Sequence, residues 1–290
     1  RPENFTIVLG NKEQVQLRVQ DYFAYFLSLK SSFLKFQEEL NPDQPADPAM
    51  SKSFGRWSSH ANQILEDRRH LSLVANITNT QIKRLEQSGI LTIDDLVTTT
   101  EMVVPKLNNA ILTRLKTQAE IQISSQGKEQ PEYKILEHEN GKAKGLALLP
   151  PHSDADIFFD IEGFPLIDGG LEYLWGATYF DASGERLFRD FWAHDQDQEK
   201  LAFTEFVEWV FDRWKQDPNM HVYHYASYEI TAVRKLMGRY GVCEHKVDTL
   251  LRNNVFVDLY NVVHHGLLIG ESSYSIKNVE HIYRGKRDTD

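Results

Sequence analysis

The chain has a single cysteine, Cys243, among 290 residues. One thiol excludes an internal disulfide framework and any all-cysteine metal site. No apolar run approaches the ~18 residues of a membrane span, and no signal-peptide pattern is read at the start. The expectation is a cytoplasmic protein with no membrane partner. No Gly-x-x-x-x-Gly-Lys-Ser/Thr loop occurs, so ATP binding of that kind is excluded. Positive charge is in deficit: 32 Lys and Arg stand against 42 Asp and Glu, a formal net charge of −10. That balance argues against a generally basic coat for nucleic acid. What is present is ordinary for a globular protein, with 41% hydrophobic and 26% charged residues. The length allows two domains. Arg1 in place of Met leads us to expect a piece of a longer chain.

Charge is unevenly spread. Residues 52–86 hold six Lys/Arg against three Asp/Glu, whereas residues 154–195 hold ten acids against two bases. An acidic region that must approach a polyanion needs metal ions to reverse its local field.

Residues 13–39 carry Val15, Val19, Tyr22, Phe23, Phe26, Leu29 and Phe33 at largely helical spacing, which predicts a long amphipathic helix with an aromatic face. The prolines of NPDQPADP break it. Over 71–123 the pattern is a set of short helices: one from Thr78 or Asn79 to Gly89, one starting at Thr92, and one after Pro105 with Ile111, Leu112, Leu115 and Ala119 on one side. Short helices with free amides at tight turns are similar to helix-hairpin-helix modules that grip a DNA phosphate. Asn108-Asn109 stands where such a hairpin has Gly-x-Gly, and plain helical packing is the competing reading. Lys83 and Arg84 are the nearby cations.

Residues 124–150 read as a linker with a short hairpin at Asn140-Gly141. From 154 the pattern changes to strands at DIFFDIEG, LEYLWGATYF (171–180) and ERLFRDFWAH (185–194). An amphipathic helix (199–214), a short strand HVYHY (221–225), a helix closed by Gly241 and the strand–helix NNVFVDLYNVV (253–263) follow. An antiparallel meander followed by β-α-β crossovers predicts a mixed five-stranded sheet with flanking helices, in ribonuclease H-like order.

In DIFFDIEGFP, Ile157-Phe158-Phe159 leads into Asp160 and Glu162. Successive strand residues face opposite ways, so these two acids share a face about 7 Å apart. Like charges so placed repel, and burial raises the cost. Carboxylates that hold two Mg²⁺ or Mn²⁺ ions give such a pair a purpose. Glu229, which opens a helix after HVYHY, and Asp258, which leaves the VFVD strand, are the further candidate ligands. The bland alternative is a strand-end acid pair satisfied by backbone amides or a lysine. His224 could orient substrate or a ligand. Tyr223, Tyr225 and Tyr228 could stack on nucleobases, although sheet and helix packing competes for each.

Taken together, GLALLPPHSDADIFFDIEGFP, LEYLWG, HYASYEITAVRKL, VDLYNVV and SYSIKNVE resemble, in order, the YprB-type ribonuclease H-like domain of the RecB-like nuclease family. HLSLVANITNTQIKRLEQSGI resembles the segment before that domain. The family is similar to the DEDD 3′–5′ exonucleases, which use four acids and two divalent ions. The resemblance implies Asp160, as the shared ligand, and Glu162 in the first motif. HYASYE matches the second, with Glu229 where an Asp usually sits. The third motif, with its general base and last Asp, is expected downstream of SYSIKNVEHIY; Asp288 and Asp290 are not assigned to it.

Serines and a histidine surround Trp57 where relatives cluster cysteines, so no iron–sulfur cluster is expected in this chain. The implied organisation is 1–70 as the helical tail of an upstream nuclease module, 71–125 as the helix-hairpin-helix-like unit, 126–150 as linker and 151–290 as a C-terminally truncated ribonuclease H-like domain. The implied activity is metal-dependent nuclease action within a larger DNA-processing or repair protein. The expected partners are single-stranded DNA and upstream nuclease and downstream helicase modules of the same polypeptide. Two rivals stand beside it: a binding or scaffolding module with a degraded site, and a glycosidase acid pair, which the order of elements disfavours.

Overall fold

The computed structural model describes residues 2–41, 47–51, 53–100, 103–137 and 144–285. The hairpin expected at Asn140-Gly141 and the tail acids Asp288 and Asp290 lie outside the described residues. The chain divides into two compact units, Arg1–Ile64 and Leu65–Asp290.

In the first unit β1 (Asn4–Val8) pairs antiparallel with β2 (Gln14–Arg18), and α1 (Val19–Glu39) follows directly. The helix expected from residue 13 therefore starts six residues late. The reason is local: Gln14-Val15-Gln16-Leu17-Arg18 alternates polar and apolar, and Val15 and Leu17 are the half-buried members. Lys12, at φ 69°, makes the turn. No residue of α1 is buried; Tyr25, Phe26 and Phe33 stand exposed. A further helix, α2, covers Ser58–Asp67.

The second unit begins with three short helices, α3 (Asn79–Glu86), α4 (Ile93–Thr98) and α5 (Asn109–Ser125). Thr78 and Thr92 each close a capping box, with Gln81 and Asp95 respectively, and so satisfy amides that a helix start leaves free. Leu71, Leu85, Leu96, Leu112 and Leu115 form their common core.

After β3 (Tyr133–Ile135) come β4 (Ile157–Phe164), β5 (Leu171–Phe180), β6 (Arg186–Trp192), α6 (Gln196–Gln216), β7 (Val222–His224), α7 (Tyr228–Tyr240), α8 (Glu244–Arg252), β8 (Phe256–Asp258), α9 (Leu259–Gly266), β9 (Leu267–Ile269), α10 (Ile276–Val279) and α11 (His281–Arg284). The main sheet has the order β6-β5-β4-β7-β8; β4, β5 and β6 run antiparallel, and β7 and β8 run parallel to β4. This is the expected ribonuclease H-like mixed sheet, with β4 at its centre. The helix α8 was not foreseen. Val247 and Leu250 are its only buried residues, too few to announce it against the loop signals on either side.

Alternation along β4 decides the layering. Ile157, Phe159 and Ile161 are buried, whereas Phe158, Asp160 and Glu162 are exposed on the other face. The buried row packs with Trp175, Phe203 and Phe206 under α6, α7 and α8. Phe159 stacks on Phe206 at 4.2 Å between ring centroids. Each such side chain, fully buried, contributes roughly 1.5–3 kcal/mol.

Within the stretch expected to be a linker, Tyr133–Ile135 is a paired strand. β3 pairs antiparallel with β9. Nearby, the Gln118 amide on α5 donates to the Ile269 carbonyl at 2.8 Å, and the Tyr274 hydroxyl donates to Gln118 Oε1 at 2.8 Å. Arg114 donates to the His264 carbonyl at 2.7 Å. Buried polar groups are tolerated because they are paired in this way.

Candidate active site

Because β7 is short, it leaves β4 early. The two pair only at Ile157–Val222 and Phe158–Tyr223, so from Asp160 onward β4 has no parallel neighbour on that side. The chain turns at Ala226, in the left-handed region with φ 67°, and enters α7 at Tyr228. Glu229, in the first turn, therefore arrives beside the vacated edge of β4. A helix N-terminus also favours an anion there. This crevice, outside the carboxyl end of a central strand where connections diverge, is a general binding position in open α/β sheets.

Asp160, Glu162 and Glu229 line the same trough, and both glutamates act electrostatically on Asp160. Burial pushes the Asp160 carboxyl above the ordinary carboxylate range, and the neighbouring Glu229 and Glu162 push the same way. The Ile161 N–H, donating to Asp160 Oδ1 at 3.0 Å, opposes them in part. Glu229 is 4% exposed, and its Oε2 accepts no hydrogen bond.

The three acids open onto a trough of about 460 Å³ whose other walls include Phe158, Leu174, Gly176, Phe188, Tyr223 and Tyr225. Among the described residues, no lysine or arginine lines it. Phe158 stacks on Tyr223 at 5.4 Å, and the Phe188 ring lies so close to Gly176 that a Cβ there would come within 3.2 Å of it.

Asp258 stands apart from the trio. Its Oδ1 accepts from the Tyr260 N–H and from the Ala226 N–H, both at 2.9 Å, and its Oδ2 accepts from Asn261. It caps α9 and pins the turn that delivers Glu229. Tyr225 lines the trough, with its hydroxyl donating to the Tyr274 carbonyl at 2.5 Å. Tyr228 is half-exposed and donates to Glu172 Oε2 at 2.6 Å. Burial pushes both phenols well above their ordinary range, so neither is a ready proton acceptor. Lys83, Arg84, Asn108 and Asn109 belong to the helical part and do not line the trough. The Asn108 side chain is occupied as the N-cap of α5, accepting from the Ala110 N–H at 2.8 Å.

Sequence reasoning passed over Glu172. An extra residue at Tyr173 bulges β5, because Glu162 pairs with Leu174 but Gly163 pairs with Glu172. Glu172 is thereby buried behind Gly163, where a Cβ would collide with the Tyr228 hydroxyl and the Glu172 carboxylate. The glycine after Asp-x-Glu was the available signal.

The donors in this cluster are hard carboxylate oxygens, which suits a divalent cation such as Mg²⁺ or Mn²⁺. Among the described residues, however, no group of three or more His, Cys, Asp and Glu side chains is already set as a metal cage. Among the same residues no helix is long and apolar enough to cross a membrane. Neither the curated proteins nor the solved structures include a match to this chain. Residues 157–290, the stretch that carries all three acids, match the family model RNase_H_2 of the RNase H superfamily, and with that match comes an expectation of nuclease-type, metal-assisted hydrolysis of nucleic acid.

Proposed function

We propose that residues 157–290 hydrolyse phosphodiester bonds of single-stranded DNA from the 3′ end, as part of a larger DNA-processing protein. The observation that supports this reading is the meeting of Asp160 and Glu229 at the edge of β4, with one buried Glu229 oxygen unpartnered. Like charges kept together at such a cost are relieved by a proton or by a cation, and in a cleft on a central strand a divalent cation gives the arrangement a function. Asp160, Glu162 and Glu229 would hold the divalent ions, Mg²⁺ or Mn²⁺. When bound, such ions supply a water acidic enough to attack at neutral pH and neutralise charge on the phosphoryl group.

The chain's own part is to fix the carboxylates and to admit the strand. Phe158, Phe188 and Tyr225 give unpaired bases apolar and aromatic surface beside the acids. Among the described residues no lysine or arginine lines the trough, so the acids alone would repel a phosphate and binding there depends on the metal. Lys83, Arg84, Asn109 and the side-chain NH2 of Asn108, which the cap does not use, would contact the phosphate backbone outside the trough.

The test is the full-length natural polypeptide with 5′-labelled single-stranded DNA and Mn²⁺. Progressive shortening from the 3′ end is expected, and Asp160→Ala should remove it. Equal cleavage by the variant would reject the assignment. A second reading, a nucleic-acid-binding module with a degraded site, is favoured by the absence of a preset cage among the described residues. It requires that the intact protein bind no Mn²⁺ by isothermal titration calorimetry.

A further inference from the structure

One buried polar atom of the trio and one beside it lack hydrogen-bond partners, and they face each other. His224 is 4% exposed at the end of β7, and Glu229 is equally buried in the first turn of α7. The Nδ1 of His224 and the Oε2 of Glu229 each make no hydrogen bond, and they lie 3.5 Å apart. That is just beyond hydrogen-bond length, and a small rotation of either side chain closes it. Leaving both unpaired in a dry site is costly, whereas pairing them satisfies both at once.

We propose that His224 is a positioning residue for Glu229: its imidazole fixes which way the Glu229 carboxylate turns toward Asp160 and a bound cation. The proposal rests on the metal-dependent reading above and deepens it. A glutamate has three side-chain torsions, so an untethered carboxylate samples many orientations. The backbone around it is already fixed. Asp258 Oδ1 holds the Ala226 N–H on one side of the turn, and on the other Tyr228 anchors the start of α7 to Glu172. Only the carboxylate itself is left to orient, and His224 is a buried group within reach of it. Outer partners of metal-binding carboxylates act in this way.

The test compares Mn²⁺ affinity, read by electron paramagnetic resonance of free Mn²⁺, in the full chain and its variants. His224→Phe keeps a planar aromatic ring, somewhat larger than imidazole, and removes the donor. It is expected to melt within a few degrees of the parent yet bind Mn²⁺ about tenfold more weakly or worse. His224→Gln, which can still donate, should recover most of the loss. In a Glu229→Gln background, His224→Phe should cause no further loss.

A parent that binds Mn²⁺ while His224→Phe binds it equally well would overturn this proposal and leave the proposed function standing. A parent that binds no Mn²⁺ would overturn both. Should His224→Phe fail to fold, long-range ¹H–¹⁵N spectra of the parent decide. The His224 Nδ1 signal should move when Glu229→Gln is introduced, and a signal that stays put would overturn the pairing.

Discussion

A carboxylate cluster kept for a cation should destabilise the protein that carries it when the cation is withheld. Asp160 is where this is measurable. It is held above the ordinary carboxylate range first by burial, then by Glu229 and Glu162. A carboxyl that binds its proton more tightly folded than unfolded favours the fold at low pH. That advantage is lost as pH rises through the folded-state pKa, so the metal-free protein carries the full penalty at neutral pH.

Two like charges about 4 Å apart repel by ~4 kcal/mol at an effective dielectric of 20. Asp160 is partly open to solvent, which screens most of that. Replacing it with the isosteric amide should therefore stabilise the metal-free fold by about 1 kcal/mol, within the roughly 0.5–2 kcal/mol that single stabilising substitutions commonly yield. For a unit of this size that is a rise of about 2–4 °C in melting temperature.

With Mn²⁺ the order should invert. At one hundred times its dissociation constant a ligand stabilises the native state by about 2.7 kcal/mol, and Asp160→Asn forfeits most of that. Scanning calorimetry in EDTA and then in Mn²⁺ should give two curves that cross: the variant melts higher without metal, the parent higher with it. An Asp160→Asn protein that melts lower than the parent in EDTA would refute the charge argument. A parent unmoved by Mn²⁺ would refute the metal.

Three other substitutions probe the surroundings. Gly163→Ala places a Cβ against the Tyr228 hydroxyl and Glu172, and should cost roughly 1–3 kcal/mol in urea denaturation while weakening Mn²⁺ binding through the displaced start of α7. Arg239→Leu strands Glu199, which is fully buried, 3.0 Å from Arg239 and also bound to the Tyr240 hydroxyl and the Glu172 N–H; about 3–5 kcal/mol should be lost at neutral pH, again read by urea denaturation. Asp258→Asn retains a side-chain acceptor for the Ala226 and Tyr260 amides, so stability should fall by less than about 1 kcal/mol and Mn²⁺ affinity should hold; a large loss of affinity would restore Asp258 as a ligand.

Much of the sheet is readable from the sequence because its signals are local. The Ile-Phe-Phe run, the meander turns and the Gly241 stop each act within a few residues. Gly241 indeed ends α7 in the left-handed conformation. The capping boxes at Thr78 and Thr92 are of the same kind. What escaped was set by distant partners or by weak periodicity. Tyr133–Ile135 becomes a strand only because Leu267–Ile269 offers it an edge. Gln118 is buried only because the Ile269 carbonyl and the Tyr274 hydroxyl receive it. Asp258 wrote a cap before its helix, but an acid at the end of a strand reads equally well as a ligand.

The site divides along the same line. Period-two alternation is enough to put Asp160 and Glu162 on one face, since any strand does so. That Glu229, sixty-nine positions later than Asp160, should lie beside it depends on where β7 stops. Had β7 paired with β4 for two more residues, a strand would fill the space that Glu229 enters, and α7 would start too far along. The early departure is enforced by the left-handed turn at Ala226, whose amide Asp258 holds from the neighbouring strand. Asp258 thus holds the turn that carries the chain to Glu229. The acids of this cluster owe their meeting to backbone hydrogen bonds outside it.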